Sequence, residues 1–233
     1  MTVVLTVLIA VNDGSAVVPV IDDLTILGLS TYATVCAALA ARTAAGRMRT
    51  AWTTMAVALG AWAVADLIWF LCEYVLYIEP FPSPADFFYL AFSVLAVPAV
   101  LTMAPFDAVS RLQAKLRIIL DGVTVALCSF LLAWILALHS VYETYGDDTL
   151  TIALALFYPV ADMVILAVAV AVWARVENRQ RAVVGLLVFA FGVTTITDIA
   201  FAYAVAADTY ASASPIDIGW AVALVAICAA ALL

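Results

Sequence analysis

Positive charge is what this sequence has least of. Its 233 residues hold nine Lys and Arg together and a single His. No basic face exists outside short loops, which argues against nucleic acid as a partner. A retinal Schiff base needs a lysine within a membrane span. The one lysine, Lys115, falls between the predicted spans, so retinal is excluded. With His139 alone, neither a bis-His haem nor a His-rich mononuclear metal site can form within one chain; His139 reads as an interfacial residue. The four cysteines, Cys36, Cys72, Cys128 and Cys228, fall in four different predicted helices with no CxxC spacing. They read as small apolar packing residues rather than metal ligands. P-loop, GxSxG, HExxH and Gly-rich nucleotide signatures are all missing. No catalytic constellation is visible, and this segment is not expected to be an enzyme. Alternating ten-residue segments are absent too, which excludes a β-barrel.

What is present is apolar. Hydrophobic residues make up 68%, charged residues 11%, and mean hydropathy is +1.19. A soluble domain carries about 25% charged residues, so composition places the chain in lipid as a single helical bundle. About 20 apolar residues cross the hydrocarbon. Seven stretches qualify: 24–41, 51–77, 86–104, 118–139, 150–174, 182–206 and 216–233. The predicted fold is therefore an all-α polytopic bundle in the plasma membrane, with an outer or interfacial segment over 1–23 and the seven-helix domain over 24–233. The apolar run Thr2–Val11 is too short to span and lacks a basic flank, so it makes a poor signal peptide.

The basic residues set the orientation. Arg42, Arg47 and Arg49 lie between spans one and two, Arg111, Lys115 and Arg117 between three and four, and Arg175, Arg179 and Arg181 between five and six. Basic loops are cytoplasmic, which predicts an outside N-terminus and an inside C-terminus. The opposite side carries Asp13, Asp22, Asp23, Glu79, Glu143, Asp147, Asp148 and Asp208, with Tyr74, Tyr77, Tyr142, Tyr145 and Tyr210 as an interfacial aromatic belt. The formal net charge of −8 comes from this outer surface and from acids inside the membrane.

A Pro-Asp pattern recurs at the outer ends of the odd-numbered spans: Pro19-Val20-Ile21-Asp22, Ser83-Pro84-Ala85-Asp86, Tyr158-Pro159-Val160-Ala161-Asp162 and Ser214-Pro215-Ile216-Asp217. Proline suits the first helical position and an acid in the first turn meets the positive end of the helix dipole. Ser83 and Ser214 are plausible N-caps. Pro159 is the exception. It falls inside the fifth span, so either that helix breaks there or 150–157 form a separate outer segment. Asp66 and Asp198 are placed alike in spans two and six, and the matches Asp66/Asp198 and Asp86/Asp217 lie 132 and 131 residues apart. This predicts a 3+1+3 arrangement of two parallel three-helix units, as some transporters have.

Asp66, Glu73, Asp121, Asp162 and Asp198 fall within predicted spans, and no basic residue does. A charge at mid-bilayer costs at least about 2.5–3.5 kcal/mol, so these acids must be protonated, hydrogen-bonded, wet or bound to a cation. Trp62, Asp66, Trp69 and Glu73 share one face of the second span. We expect an acidic, aromatic-lined pocket in the outer half of the bundle. Its candidate ligand-binding residues are Trp62, Asp66, Trp69, Glu73, Asp86, Tyr89, Asp162, Asp198, Asp217 and Trp220, with Tyr203 nearby. The same acids also fit a purely structural reading, in which they tie helices together through Tyr, Ser and Thr hydroxyls. Asp121, near the cytoplasmic face, reads as a salt-bridge partner of a loop arginine.

Ala65-Asp66-x-x-Trp69, Phe81-Pro82-Ser83-Pro84-Ala85-Asp86-Phe87-Phe88-Tyr89-Leu90, Leu120-Asp121-Gly122, Tyr158-Pro159-x-x-Asp162, Thr197-Asp198-x-x-Phe201 and Asp217-Ile218-Gly219-Trp220 together carry a resemblance. The chain resembles, from about residue 50 to 225, the multi-pass N-terminal sensor regions of actinobacterial GGDEF and GGDEF–EAL proteins, which make or degrade cyclic di-GMP. The Pro-Ser-x-Ala-Asp-x-x-Tyr-Leu stretch is its most specific part, and Pro84 is a small departure from it. The resemblance implies a sensory input module for a ligand, ion or lipid. The last span would then lead into a cytoplasmic signalling domain expected after residue 233, and the protein would be a homodimer. A small cation- or proton-coupled transporter and a structural anchor or dimerisation module are the alternatives.

Overall fold

The computed structural model describes residues 17–78, 81–105, 111–145 and 149–233. Long runs of Ala, Leu and Val give eight α-helices among these residues, and no strand. In chain order they are α1 (Val17–Thr43), α2 (Gly46–Leu71), α3 (Ala85–Met103), α4 (Arg111–Ala133), α5 (His139–Tyr145), α6 (Thr149–Trp173), α7 (Asn178–Ala206) and α8 (Asp217–Leu232). Single π-helical turns, Cys72–Leu76 and Trp134–Leu138, extend α2 and join α4 to α5. The α1–α2 connection is very short and turns at Gly46, whose φ of 56° favours a residue without Cβ.

Among the described residues five helices are long and apolar enough to cross a membrane: α1, α2 with its π turn, α3, α6 and α7. The apolar stretch Gly122–Ala133 of α4 and the whole of α8 are shorter. This is the architecture of a multi-pass membrane protein. Its outward faces agree, since Val57, Leu67, Phe87, Val94, Ile135 and Ile196 are all exposed. In water so many bare aliphatic side chains would be a liability; against lipid tails they cost nothing.

Six helices form a closed ring. Neighbours run α1, α2, α3, α6, α7, α8, and α8 packs back on α1. The helix α4 lies outside the ring against α6, and α5 covers part of α6 and α7. Alanine lines the contacts between helices: Ala33, Ala37, Ala58, Ala96, Ala169, Ala190 and Ala221 are completely buried. Lipid tails are as apolar as leucine, so helices associate by close van der Waals approach, which small residues permit. At the α7–α8 crossing this reaches its limit. A Cβ on Gly219 would lie 2.0 Å from Thr197 Oγ1.

Several expectations are corrected in detail. The first helix begins at Val17 rather than near residue 24, so Pro19 and Asp22 lie inside it, and Asp22 is fully buried. Proline at a helix start leaves no amide to satisfy, and the apolar neighbours Val17, Val18 and Val20 carry the helix outward. Pro159 neither breaks α6 nor sets off a separate segment: Thr149–Trp173 is one helix with Pro159 inside it. The fourth helix starts at Arg111, so Lys115 and Arg117 belong to its first turns rather than to a loop. Arg47 Nη2 donates to Gln180 Oε1 at 3.4 Å, which brings the α1–α2 and α6–α7 connections to the same end of the bundle. Residues 1–16 of the expected outer segment, with Asp13, and also Glu79, Asp147 and Asp148, lie outside the described residues. So do the side chains of Arg111, Lys115, Arg117, Asp121 and Tyr145.

Candidate functional site

The ring encloses a partly open cavity of about 110 Å³ near the end where α1, α3 and α8 begin. A single water needs about 10–15 Å³ on the same scale, so there is room for several waters or one small organic molecule. Asp23, Asp66, Asp86, Asp162 and Asp198 line it with Trp62, Trp69, Phe81, Tyr89, Phe92, Tyr158, Phe201, Tyr210 and Trp220; Ser93 and Thr194 add hydroxyls. Among the described residues no Lys or Arg contributes to the wall.

Asp66 and Asp198 are anchored by donors supplied from neighbouring helices. Ser30 Oγ on α1 donates to Asp66 Oδ2 at 2.6 Å, and Tyr89 OH on α3 donates to Asp66 Oδ1 at 2.8 Å. On the far side of the ring, Trp220 Nε1 on α8 donates to Asp198 Oδ1 at 2.6 Å. The α6 residue beside Asp198 is Asp162, so two carboxyl groups face each other there. The constellations Ser30–Asp66–Tyr89 and Asp162–Asp198–Trp220 therefore match position for position, 132, 132 and 131 residues apart. They differ in chemistry at one place. Ser30 is a permanent donor, whereas Asp162 can donate only when a proton sits between the two carboxyls. Asp162 Oδ2 is buried with no N–H or O–H donor, as is Asp23 Oδ2.

The helix starts are also built alike. Asp86 Oδ2 accepts from Ser83 N at 2.6 Å while Ser83 Oγ accepts from Ala85 N at 3.2 Å. Asp217 Oδ2 accepts from Ser214 N at 2.7 Å while Ser214 Oγ accepts from Ile216 N at 3.2 Å. These are reciprocal caps of the kind that satisfy first-turn amides. Each capping acid has a second bond to a tyrosine: Tyr158 OH donates to Asp86, and Tyr210 OH donates to Asp217 Oδ1 at 3.0 Å. Asp22 Oδ2 accepts from Ala213 N at 3.0 Å, while its buried Oδ1, next to the Asp217 carboxyl, has no N–H or O–H donor.

Of the ten residues expected at the site, Trp62, Asp66, Trp69, Asp86, Tyr89, Asp162, Asp198 and Trp220 surround the cavity. Glu73 does not. It accepts from Trp69 Nε1 at 3.1 Å and from Ser212 Oγ at 2.9 Å, outside the wall. Its carboxylate is held one turn beyond Trp69, between that indole and Ser212 of the α7–α8 connection. Asp217 is withheld by Asp22 and Tyr210, and Tyr203 points away, half exposed. Sequence reading missed Asp23, Ser30 and the pairing role of Tyr158. Its position before the first apolar stretch assigns Asp23 to the outer segment. Ser30 was recoverable by stepping 132 residues back from Asp162.

Fold and site together define a multi-pass helical membrane protein with a central acidic, aromatic-lined cavity. No protein-family model matches the chain, and comparison with curated proteins and with solved structures gives no match.

Proposed function

We propose that this chain is a membrane-embedded sensory input domain. A ligand enters the acidic, aromatic cavity from the outer side, shifts the packing of the ring, and the movement leaves through α8 to a cytoplasmic domain of cyclic di-GMP turnover. The observation that carries the reading is the convergence of carboxylates from α1, α2, α3, α6 and α7 on one cavity with no base among them. Ionisable groups inside a membrane are expensive and mark function by default. The basic connections at one end favour seven spans with the C-terminus inside, and the sequence resemblance supplies the class of output. A ligand acts here only through unequal affinity for two packings of the ring. The α8–α1 contact, where Asp22 meets Asp217, is the joint that such a change would work on.

The test is made in cells that carry the full-length protein. Asp66→Ala and Asp198→Ala should each alter cellular cyclic di-GMP while membrane abundance stays normal. Normal abundance with unchanged cyclic di-GMP overturns the sensor reading, and loss of folded protein assigns the acids a structural role. The matched constellations favour one alternative, a small cation- or proton-coupled transporter built from two parallel units. Cation uptake into liposomes by the purified chain would establish it.

A further inference from the structure

We propose that the cavity takes a small organic ammonium ion, held between the Asp162–Asp198 pair and the aromatic wall centred on Phe201. This rests on the reading of the cavity as the input site and names the chemistry of its ligand.

The wall selects against other classes. An anion would meet five carboxylates and no basic side chain. A bare divalent metal requires several oxygen or nitrogen ligands drawn together, and among the described residues no three of His, Cys, Asp and Glu are so grouped. Asp66, Asp86 and Asp198 already have N–H or O–H donors, and Asp162 Oδ2 and Asp23 Oδ2 do not. Asp162 is 4% exposed, lines the cavity, and its Oδ2 has no N–H or O–H within reach. An ammonium group in the cavity brings positive charge beside this buried carboxylate and, unless fully alkylated, N–H donors to the acids of the wall.

The rest of the wall fits the remainder of such a ligand. Phe201 stands at the centre of an edge-to-face cluster, with Tyr210 at 4.8 Å, Trp220 at 5.5 Å and Trp69 at 6.2 Å between ring centroids. Ring faces carry negative potential and hold cations, more strongly where water is excluded. Trp220 and Trp69 are fixed by their own N–H bonds to Asp198 and Glu73, so their rings are preorganised rather than ordered by the ligand. An acid on one side and locked indoles on the other is the arrangement that recognises alkylammonium groups. The source can be a free amine or an amine-bearing lipid headgroup, since both present the same cation.

The full chain, reconstituted in nanodiscs of phosphatidylglycerol alone, provides the test. Choline and ethylammonium are titrated against tryptophan fluorescence, alongside 3,3-dimethyl-1-butanol, the uncharged carbon isostere of choline. At least one cation should bind saturably, and the isostere should bind about tenfold or more weaker. Asp162→Asn, which keeps the shape, and Phe201→Leu should each weaken binding about tenfold, with circular dichroism and gel filtration unchanged. Phosphatidylethanolamine or phosphatidylcholine added to the nanodiscs should compete if the headgroup is the source, and leave binding unchanged if a free amine is. The proposal is overturned if neither cation binds, if the isostere binds equally well, or if a folded Phe201→Leu or Asp162→Asn protein binds as the parent does. Should a variant fail to fold, the cation–isostere comparison on the parent protein decides alone. Ammonium binding without any change in cyclic di-GMP in cells would leave the ligand class standing and remove the sensor reading. A cyclic di-GMP response lost in Asp66→Ala, with no ammonium binding, would do the reverse.

Discussion

Buried acids in this protein are distinguished by what stands next to them. Asp66 has two neutral donors, Ser30 and Tyr89, and needs nothing else. Asp22 is completely buried and holds the Ala213 amide while facing the Asp217 carboxyl. Asp22→Ala leaves that amide without a partner, a loss of about 1–3 kcal/mol. Asp22→Asn behaves differently, because its amide oxygen can still accept from Ala213 N and its NH2 can donate to the neighbouring Asp217 carboxyl. Thermal unfolding in detergent should therefore fall for Asp22→Ala and stay near the parent for Asp22→Asn. Gly219 poses the opposite problem, too little space rather than too few partners. Its added methyl would overlap Thr197 Oγ1, and Gly219→Ala should destabilise by about 1–3 kcal/mol. Adding Thr197→Ala removes the two closest atoms, so the double variant should regain most of the loss.

At the scale of an element, α3 and α8 start with the same device. The acid accepts from the serine's backbone amide, and the serine hydroxyl accepts from the amide two residues on, so each start is held by residues close in sequence. Ser83→Ala and Ser214→Ala should each cost about 0.5–2 kcal/mol. Hydrogen exchange should speed up in the first turn of the helix concerned and not in the other. A uniform acceleration across both helices would show that the caps are not local. The Ser-Pro-x-Asp pattern made these starts legible without coordinates, because capping depends only on residues near in sequence. Pro159 illustrates the limit of local rules. A proline within a helix argues for a break, yet α6 runs through it, as happens in membranes where neighbouring groups replace the lost backbone bond. The start of α1 was missed for a related reason: Asp22 and Asp23 look like surface residues until partners on other helices are known.

At the scale of the molecule, the ring is the organising feature. Short connections alone bring α1 to α2, α2 to α3 and α6 to α7, and these pairs follow from hairpin logic. The α3–α6 and α8–α1 contacts do not, and they are the ones that close the cavity. The proposed orientation is tested on the same scale. A C-terminal green fluorescent protein fusion should fluoresce and a C-terminal alkaline phosphatase fusion should stay inactive; the reverse pattern would overturn the inside C-terminus. The shortage of basic residues governs both ends of this argument. Nine Lys and Arg near helix ends set the expected orientation, and their absence from the cavity leaves the acids to be met by neutral donors or by a ligand.

Composition, the spacing of apolar runs and the scarcity of positive charge determined by themselves that this is a helical membrane protein with acids in its interior. They also marked Asp66, Asp86, Asp162 and Asp198 as members of one site, since helical periodicity and the 131–132-residue recurrence are properties of the chain. Only the tertiary structure decided which acids face the cavity and which are withdrawn from it. Glu73 is held by Trp69 and Ser212 and Asp217 by Tyr210 and Ser214 N, while Asp23 and the Tyr158 side chain are brought in. Those outcomes depend on contacts between residues far apart in sequence. A hydrogen-bond partner more than a hundred residues away leaves no local trace in the chain that needs it.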